Sequence, residues 1–120
     1  MVSRMIAIAV DCRDAERMAT FWCAALGAEV DRRWCDAHGV EYVQISTSDG
    51  PLLLFQPVSE GKAGKNRLHL DLAPATGTRD DEVARLVSLG ATRLPAAAEH
   101  PWVVLADPEG NEFCVLPPRP

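Results

Sequence analysis

The stretch AVDCRDAERMATFWCAALG, residues 9–27, holds the end of a strand, a helix cap, an amphipathic helix and a helix stop in unbroken succession. Just upstream, Ile6, Ile8 and Val10 alternate with Ala7, Ala9 and Asp11, the period of a half-buried strand over residues 5–11. Asp14 is suited to cap the helix, because its carboxylate can accept from the free N–H groups of the first turn. Met18, Phe21, Trp22, Ala25 and Leu26 then recur at helical spacing and make one apolar stripe. Gly27 can adopt the left-handed turn that closes a helix. The expected helix is about three turns long.

Working outward, three strands are expected at 28–35, 40–47 and 51–58, separated by Ala37-His38-Gly39 and Ser48-Asp49-Gly50-Pro51. Residues 59–66, SEGKAGKN, are polar and without periodicity, and read as an exposed connection. The pattern then starts again. In RLHLDLA, Leu68, Leu70 and Leu72 share one face and His69 and Asp71 the other. Thr78 precedes Asp80, Asp81 and Glu82, whose charges suit a helix N-terminus, and Gly90 ends that helix. Strands at 91–95, 101–106 and 111–117 complete the second half, the last two joined by the turn Asp107-Pro108-Glu109-Gly110. Leu26-Gly27 matches Leu89-Gly90, and the Gly50 turn matches the Gly110 turn, a repeat of about sixty residues. The expected fold class is therefore α+β: two βαβββ modules, residues 1–58 and 67–118 joined by 59–66, curling around a shared cleft suited to a small molecule.

Composition narrows the function. Apolar residues make up 48% and charged residues 24% of the 120, ordinary values for one globular domain. A net charge of -5 with scattered basic residues offers no field for a phosphate backbone, so nucleic acid is not an expected partner. No apolar run reaches the length of a membrane span, and Asp11, Arg13 and Asp14 interrupt the N-terminal run where a signal peptide would need a cleavage site. A cytoplasmic protein is expected, with no membrane partner. Cys12, Cys23, Cys35 and Cys114 form no CxxC pair, which excludes a zinc knuckle by spacing and leaves reduced thiols as the expectation.

Three segments, AVDCRDAERMATFWCAALG (9–27), KNRLHLDL (65–72) and LADPEGNEFCVLP (105–117), resemble the vicinal-oxygen-chelate superfamily, and especially its small glyoxalase-like branch. That superfamily includes glyoxalase I, bleomycin-resistance proteins and extradiol dioxygenases. The resemblance covers nearly the whole chain and implies the paired βαβββ fold and a homodimer. It also implies a divalent metal held by one ligand from the first and one from the last strand of each module. Carried over one position at a time, those places fall on Ala7, Leu54, His69 and Cys114, of which only His69 and Cys114 can ligate. A shift of two residues would bring in Gln56 and Glu112. One imidazole and one thiol are too few for a firmly held ion, so no cofactor is expected and a divalent metal is the one candidate.

The function implied is that of a glyoxalase-like small-molecule-binding protein with a degenerate metal site, acting as a lyase or isomerase if it is an enzyme. The alternatives are a drug-sequestering protein of the bleomycin-resistance type and a metal-dependent glyoxalase or dioxygenase. His69 is the candidate catalytic residue, because an imidazole can exchange a proton near neutral pH. Asp11, Gln56, Arg67, Asp71, Glu112 and Cys114 are candidate ligand contacts, although solvated or structural roles suit the carboxylates and a buried apolar role suits Cys114. Lys65, Asn66 and Arg67 could meet an anionic group. Trp22 falls on the helix stripe and reads as core, whereas Trp34 and Trp102 could line a ligand site or a dimer face.

Overall fold

The computed structural model describes residues 1–95 and 100–120. It divides into two compact units, Met1–Gly61 and Lys62–Pro120. Each is a β-α-β-β-β run that builds one four-stranded mixed sheet with one helix.

In the first unit, β1 (Ile8–Cys12) leads into α1 (Ala15–Leu26), followed by β2 (Glu29–Cys35), β3 (Glu41–Ser46) and β4 (Leu53–Pro57). The Asp14 carboxylate accepts from the Arg17 N–H at 3.0 Å, and Gly27 closes the helix at φ 64°, where a β-carbon would be crowded by its own backbone. The helix and the sheet must bury one face each. Met18, Phe21 and Trp22 of α1 lie in the core with Val43, Ile45, Leu53 and Phe55. Strand order is β1-β4-β3-β2, and β1 runs parallel to β4. That parallel pair follows from the chain having to cross over through α1 and the hairpins before it returns.

The second unit repeats the order with β5 (Leu70–Leu72), α2 (Arg79–Leu89), β6 (Thr92–Arg93), β7 (Val103–Ala106) and β8 (Glu112–Val115). Its sheet is β5-β8-β7-β6, with β5 parallel to β8. Thr78 caps α2 by accepting from the Asp81 N–H at 3.0 Å, and Gly90 ends the helix at φ 125°. Leu86, Leu105, Phe113 and Val115 form this unit's buried centre.

The first strand of each unit begins later than the apolar pattern predicts. Ile6 lies outside β1 and is exposed, while Cys12 extends the strand and is buried. Leu68 is likewise outside β5 and 87% exposed, instead of sharing the inward face with Leu70 and Leu72. A strand exists only as far as a partner supplies hydrogen bonds, and the pairings of β1 with β4 and of β5 with β8 begin at Ile8 and Leu70.

The two units have the same internal register. Cys12 O accepts from Val58 N, and Leu72 O accepts from Leu116 N, each at 2.7 Å. Asp11 is therefore level with Gln56 in one sheet as Asp71 is with Cys114 in the other. By this correspondence Cys114 matches Gln56 and His69 matches Ala9, where counting from the turns and the helix gives Leu54 and Ala7. Val43 pairs with Phe55 but Leu105 pairs with Phe113, so the first hairpin is the longer of the two and the glycines of the two turns do not align.

Candidate functional site

Alternation along a strand sends successive side chains to opposite faces of a sheet. In β8, Phe113 and Val115 face the core, which leaves Glu112 and Cys114 on the other face. Asp71, between the half-buried Leu70 and Leu72, stands opposite Cys114 across the parallel pair. His69 lies one residue before β5 and two before Asp71.

These three side chains converge. One ligating atom each from His69, Asp71 and Cys114 lie within 4.8 Å of one another, the single such group of three or more among the described residues. His69 Nε2 is 3.3 Å from Asp71 Oδ1, and both side chains are open to solvent. Cys114 is 8% exposed. Burial pushes its thiol up from the ordinary value, the Asp71 charge pushes it further, and the Lys65 charge pulls it back. At neutral pH the Cys114 thiol therefore keeps its proton beside the His69 and Asp71 side chains. An imidazole beside a carboxylate can take a proton and have the resulting charge stabilised.

Glu112 has a different surrounding from the open carboxylate that its place at a strand entrance suggests. Its Oε1 accepts from the Asn66 N–H at 3.1 Å and from Lys62 Nζ at 3.0 Å. The side chains of Lys62 and Glu112 are only 22% and 18% exposed. The Asn66 N–H and the Lys62 ammonium together hold the Glu112 carboxyl down at about 2. Asn66 also donates to Asn111 Oδ1 at 3.2 Å, and the buried Asp107 carboxylate accepts from the N–H groups of Glu109 and Asn111. Residues 62–66 are thus tied to the entrance of β8, where composition alone reads them as a free connection. Nothing local in SEGKAGKN signals this, because both partners lie more than forty residues further along the chain.

The remaining candidates lie on other elements. Asp11 and Gln56 are neighbours across β1 and β4 in the first unit, and Arg67 is exposed ahead of β5. Trp34 sits on the β2–β3 hairpin, its ring centroid 4.3 Å from the Arg32 guanidinium carbon and 5.4 Å from the Tyr42 ring. There the Tyr42 hydroxyl donates to Asp36 at 2.8 Å and is the main reason the Asp36 carboxyl falls below its ordinary value. Trp102 is exposed and stacks on His100 at 4.3 Å. Trp22 is core, packed edge-on against Phe21. None of the four cysteines, all among the described residues, forms a disulfide. No helix among the described residues is long and apolar enough to cross a membrane.

The sequence model of the glyoxalase-like domain matches residues 7–116, nearly the whole chain. The chain belongs to the glyoxalase-like domain family. It lies within the vicinal-oxygen-chelate superfamily, and its two four-stranded mixed sheets with two helices match the paired glyoxalase-like fold. Among solved structures, the genomically encoded fosfomycin resistance protein FosX of Listeria monocytogenes is similar at 14% identity and a TM-score of 0.78, over 99% of this chain and 96% of that one. A glyoxalase/bleomycin resistance/dioxygenase family enzyme of Burkholderia phytofirmans is similar at 21% identity and a TM-score of 0.70, over 92% and 94%. Glyoxalase I of Leishmania major is similar at 16% identity and a TM-score of 0.69, over 96% and 86%. At these identities the likeness is one of fold. No curated protein sequence matches the chain.

Proposed function

We propose that this glyoxalase-like protein binds a small, polar organic molecule at the second sheet, with His69 as the principal contact. The observation that carries the reading is the convergence of His69, Asp71 and Cys114 on one sheet face. His69 exchanges a proton with a hydroxyl or an acidic C–H of the ligand, and Asp71 holds the imidazole and stabilises its charged form. Cys114 closes the floor as a neutral thiol. Proton transfer beside a carbonyl is the chemistry of a lyase or isomerase, the reaction class the reading favours. Lys65 and Arg67, both exposed near the start of β5, suit an acidic group on the ligand. The FosX fold relative from Listeria has been solved with manganese(II) and a dihydroxypropylphosphonic acid, which makes hydroxylated phosphonates sensible first probes.

The test is a two-dimensional amide NMR titration with hydroxy acids, α-keto aldehydes and hydroxyphosphonates. Shifts centred on His69, Asp71 and Cys114 that vanish in His69→Ala support the reading. Binding that is unchanged in His69→Ala, or no shift at these residues with any probe, ends it. The same preparation gives a sedimentation mass, for which a homodimer is the expected result.

A divalent cation is a second reading, favoured by the donor set itself. An imidazole nitrogen, a carboxylate oxygen and a sulfur suit a borderline ion such as zinc, cobalt or nickel, and three protein ligands are what an open catalytic site takes. The residues fit, on condition that Cys114 gives up a proton that burial favours keeping. His69, Asp71 and Cys114 would hold the ion, whose chemistry when bound is polarisation of a ligand oxygen.

A further inference from the structure

Glu112 is placed to be a fourth donor and is occupied by something else. In the parallel pair, Leu70 is level with Phe113 and Asp71 with Cys114, so the residues before them, His69 and Glu112, come level as well. Glu112 also shares a strand face with Cys114, two residues and roughly 7 Å along β8. A glutamate side chain can bridge much of that distance. Yet Glu112 is absent from the converging group, and its Oε1 is engaged by Lys62 Nζ and by the Asn66 N–H. Asn66 is fixed in turn by Asn111, while Lys62 follows Gly61 and also donates to the Gly64 carbonyl.

We propose that Lys62 is a built-in countercation that holds the Glu112 carboxylate away from the His69–Asp71–Cys114 trio and so keeps its affinity for a divalent ion low. The proposal rests on the cation reading of the site. The ammonium at Oε1 fixes the direction of the Glu112 side chain and draws charge from both carboxylate oxygens, which weakens either one as a donor to a divalent ion. With Lys62 in place the site offers three donors. Without it Glu112 keeps only N–H partners, from Asn66 and its own backbone, and loses its ionic anchor, so it can turn toward the trio, which raises the donor count to four and removes a positive charge from the surroundings. The effect is electrostatic and local, and the Lys62 side chain lies outside the buried core, so its replacement leaves the fold intact.

Cobalt(II) titrations, read by calorimetry and by visible absorption, test this on the full chain as wild type, Lys62→Met, Lys62→Gln, Lys62→Met with Glu112→Gln, and His69→Ala, each checked by circular dichroism. Lys62→Met and Lys62→Gln are expected to bind cobalt(II) more tightly than wild type by on the order of tenfold or more, the size of change that regrouping the partners of metal ligands ordinarily produces. The gain is expected to disappear when Glu112→Gln is added. If neither lysine variant gains affinity, or if the gain survives Glu112→Gln, the Lys62 proposal is overturned. Cobalt bound by wild type and lost in His69→Ala upholds the cation reading whatever the lysine variants do. No binding by any form defeats both.

Discussion

The two sheets share a topology and a register and differ in what they carry on the face away from their helix. On the first sheet Ala9, Asp11, Leu54 and Gln56 occupy the positions that His69, Asp71, Glu112 and Cys114 hold on the second. Only Asp11 and Asp71 are the same. The faces against the helices show the opposite behaviour: Phe55 and Phe113, and their hairpin partners Val43 and Leu105, are all apolar and fully buried. Packing against a helix fixes side-chain volume, because an interior near crystal density tolerates neither voids nor overlap. The other face carries no such constraint, so a repeat can keep its architecture while one half gathers chemical groups and the other loses them. The fold and the site are thus specified by alternate residues of the same strands.

That contrast can be broken at its packed side first. Phe55→Ala and Phe113→Ala remove matching buried rings, and each is expected to cost about 3–5 kcal/mol. Urea melts giving similar losses for both would confirm equal packing roles, and a loss confined to one would show that the units are not equivalent in stability. The next largest effect belongs to Glu112, whose counterpart Leu54 makes no ionic contact. Glu112→Gln is expected to cost roughly 1.5–3 kcal/mol at neutral pH, the range for hydrogen bonds to a charged group. Because the folded-state value of Glu112 lies below the ordinary 4.5, its contribution is complete above that value and fades as pH falls toward about 2. Wild type and Glu112→Gln should therefore converge in melting temperature across that acidic window, and a constant gap down to its lower end would refute the account.

Backbone and cap differences should be smaller. Gly27 at φ 64° lies in the left-handed region that asparagine also visits, whereas Gly90 at φ 125° lies beyond it. Gly90→Asn is expected to cost roughly 1–3 kcal/mol and Gly27→Asn less than about 1, compared by denaturant midpoint. Asp14→Ala and Thr78→Ala each remove one side-chain acceptor from a helix start. Each should cost about 1 kcal/mol, with little to separate the two. A Thr78 effect several times larger would mean that α2 depends on its cap more than α1 does.

The helices and strands of both units were legible because each depends on neighbours in sequence. Asp14 and Gly27 bound α1 as their chemistry predicts, and Thr78 and Gly90 bound α2. The site was only partly legible. His69 and Cys114 stand out as donors in the sequence, but counting the two of them gives too few for an ion. Asp71 joins them because β5 pairs with β8 in one particular register, which brings residues 71 and 114 side by side. The link from Lys62 and Asn66 to Glu112 was invisible for a related reason: a carboxylate's partners are whatever the fold brings near, and these come from a segment with no pattern of its own.

Short-range rules, the period of apolar residues and the stereochemistry of caps and glycines, determined from sequence alone that the chain is a duplicated β-α-β-β-β unit. Which oxygen, nitrogen and sulfur atoms meet, and which carboxylate is already taken, was decided only by strand register and by two hairpins of unequal length. A shift of two residues along a strand preserves the alternation that sequence displays, yet it exchanges every partner across the sheet.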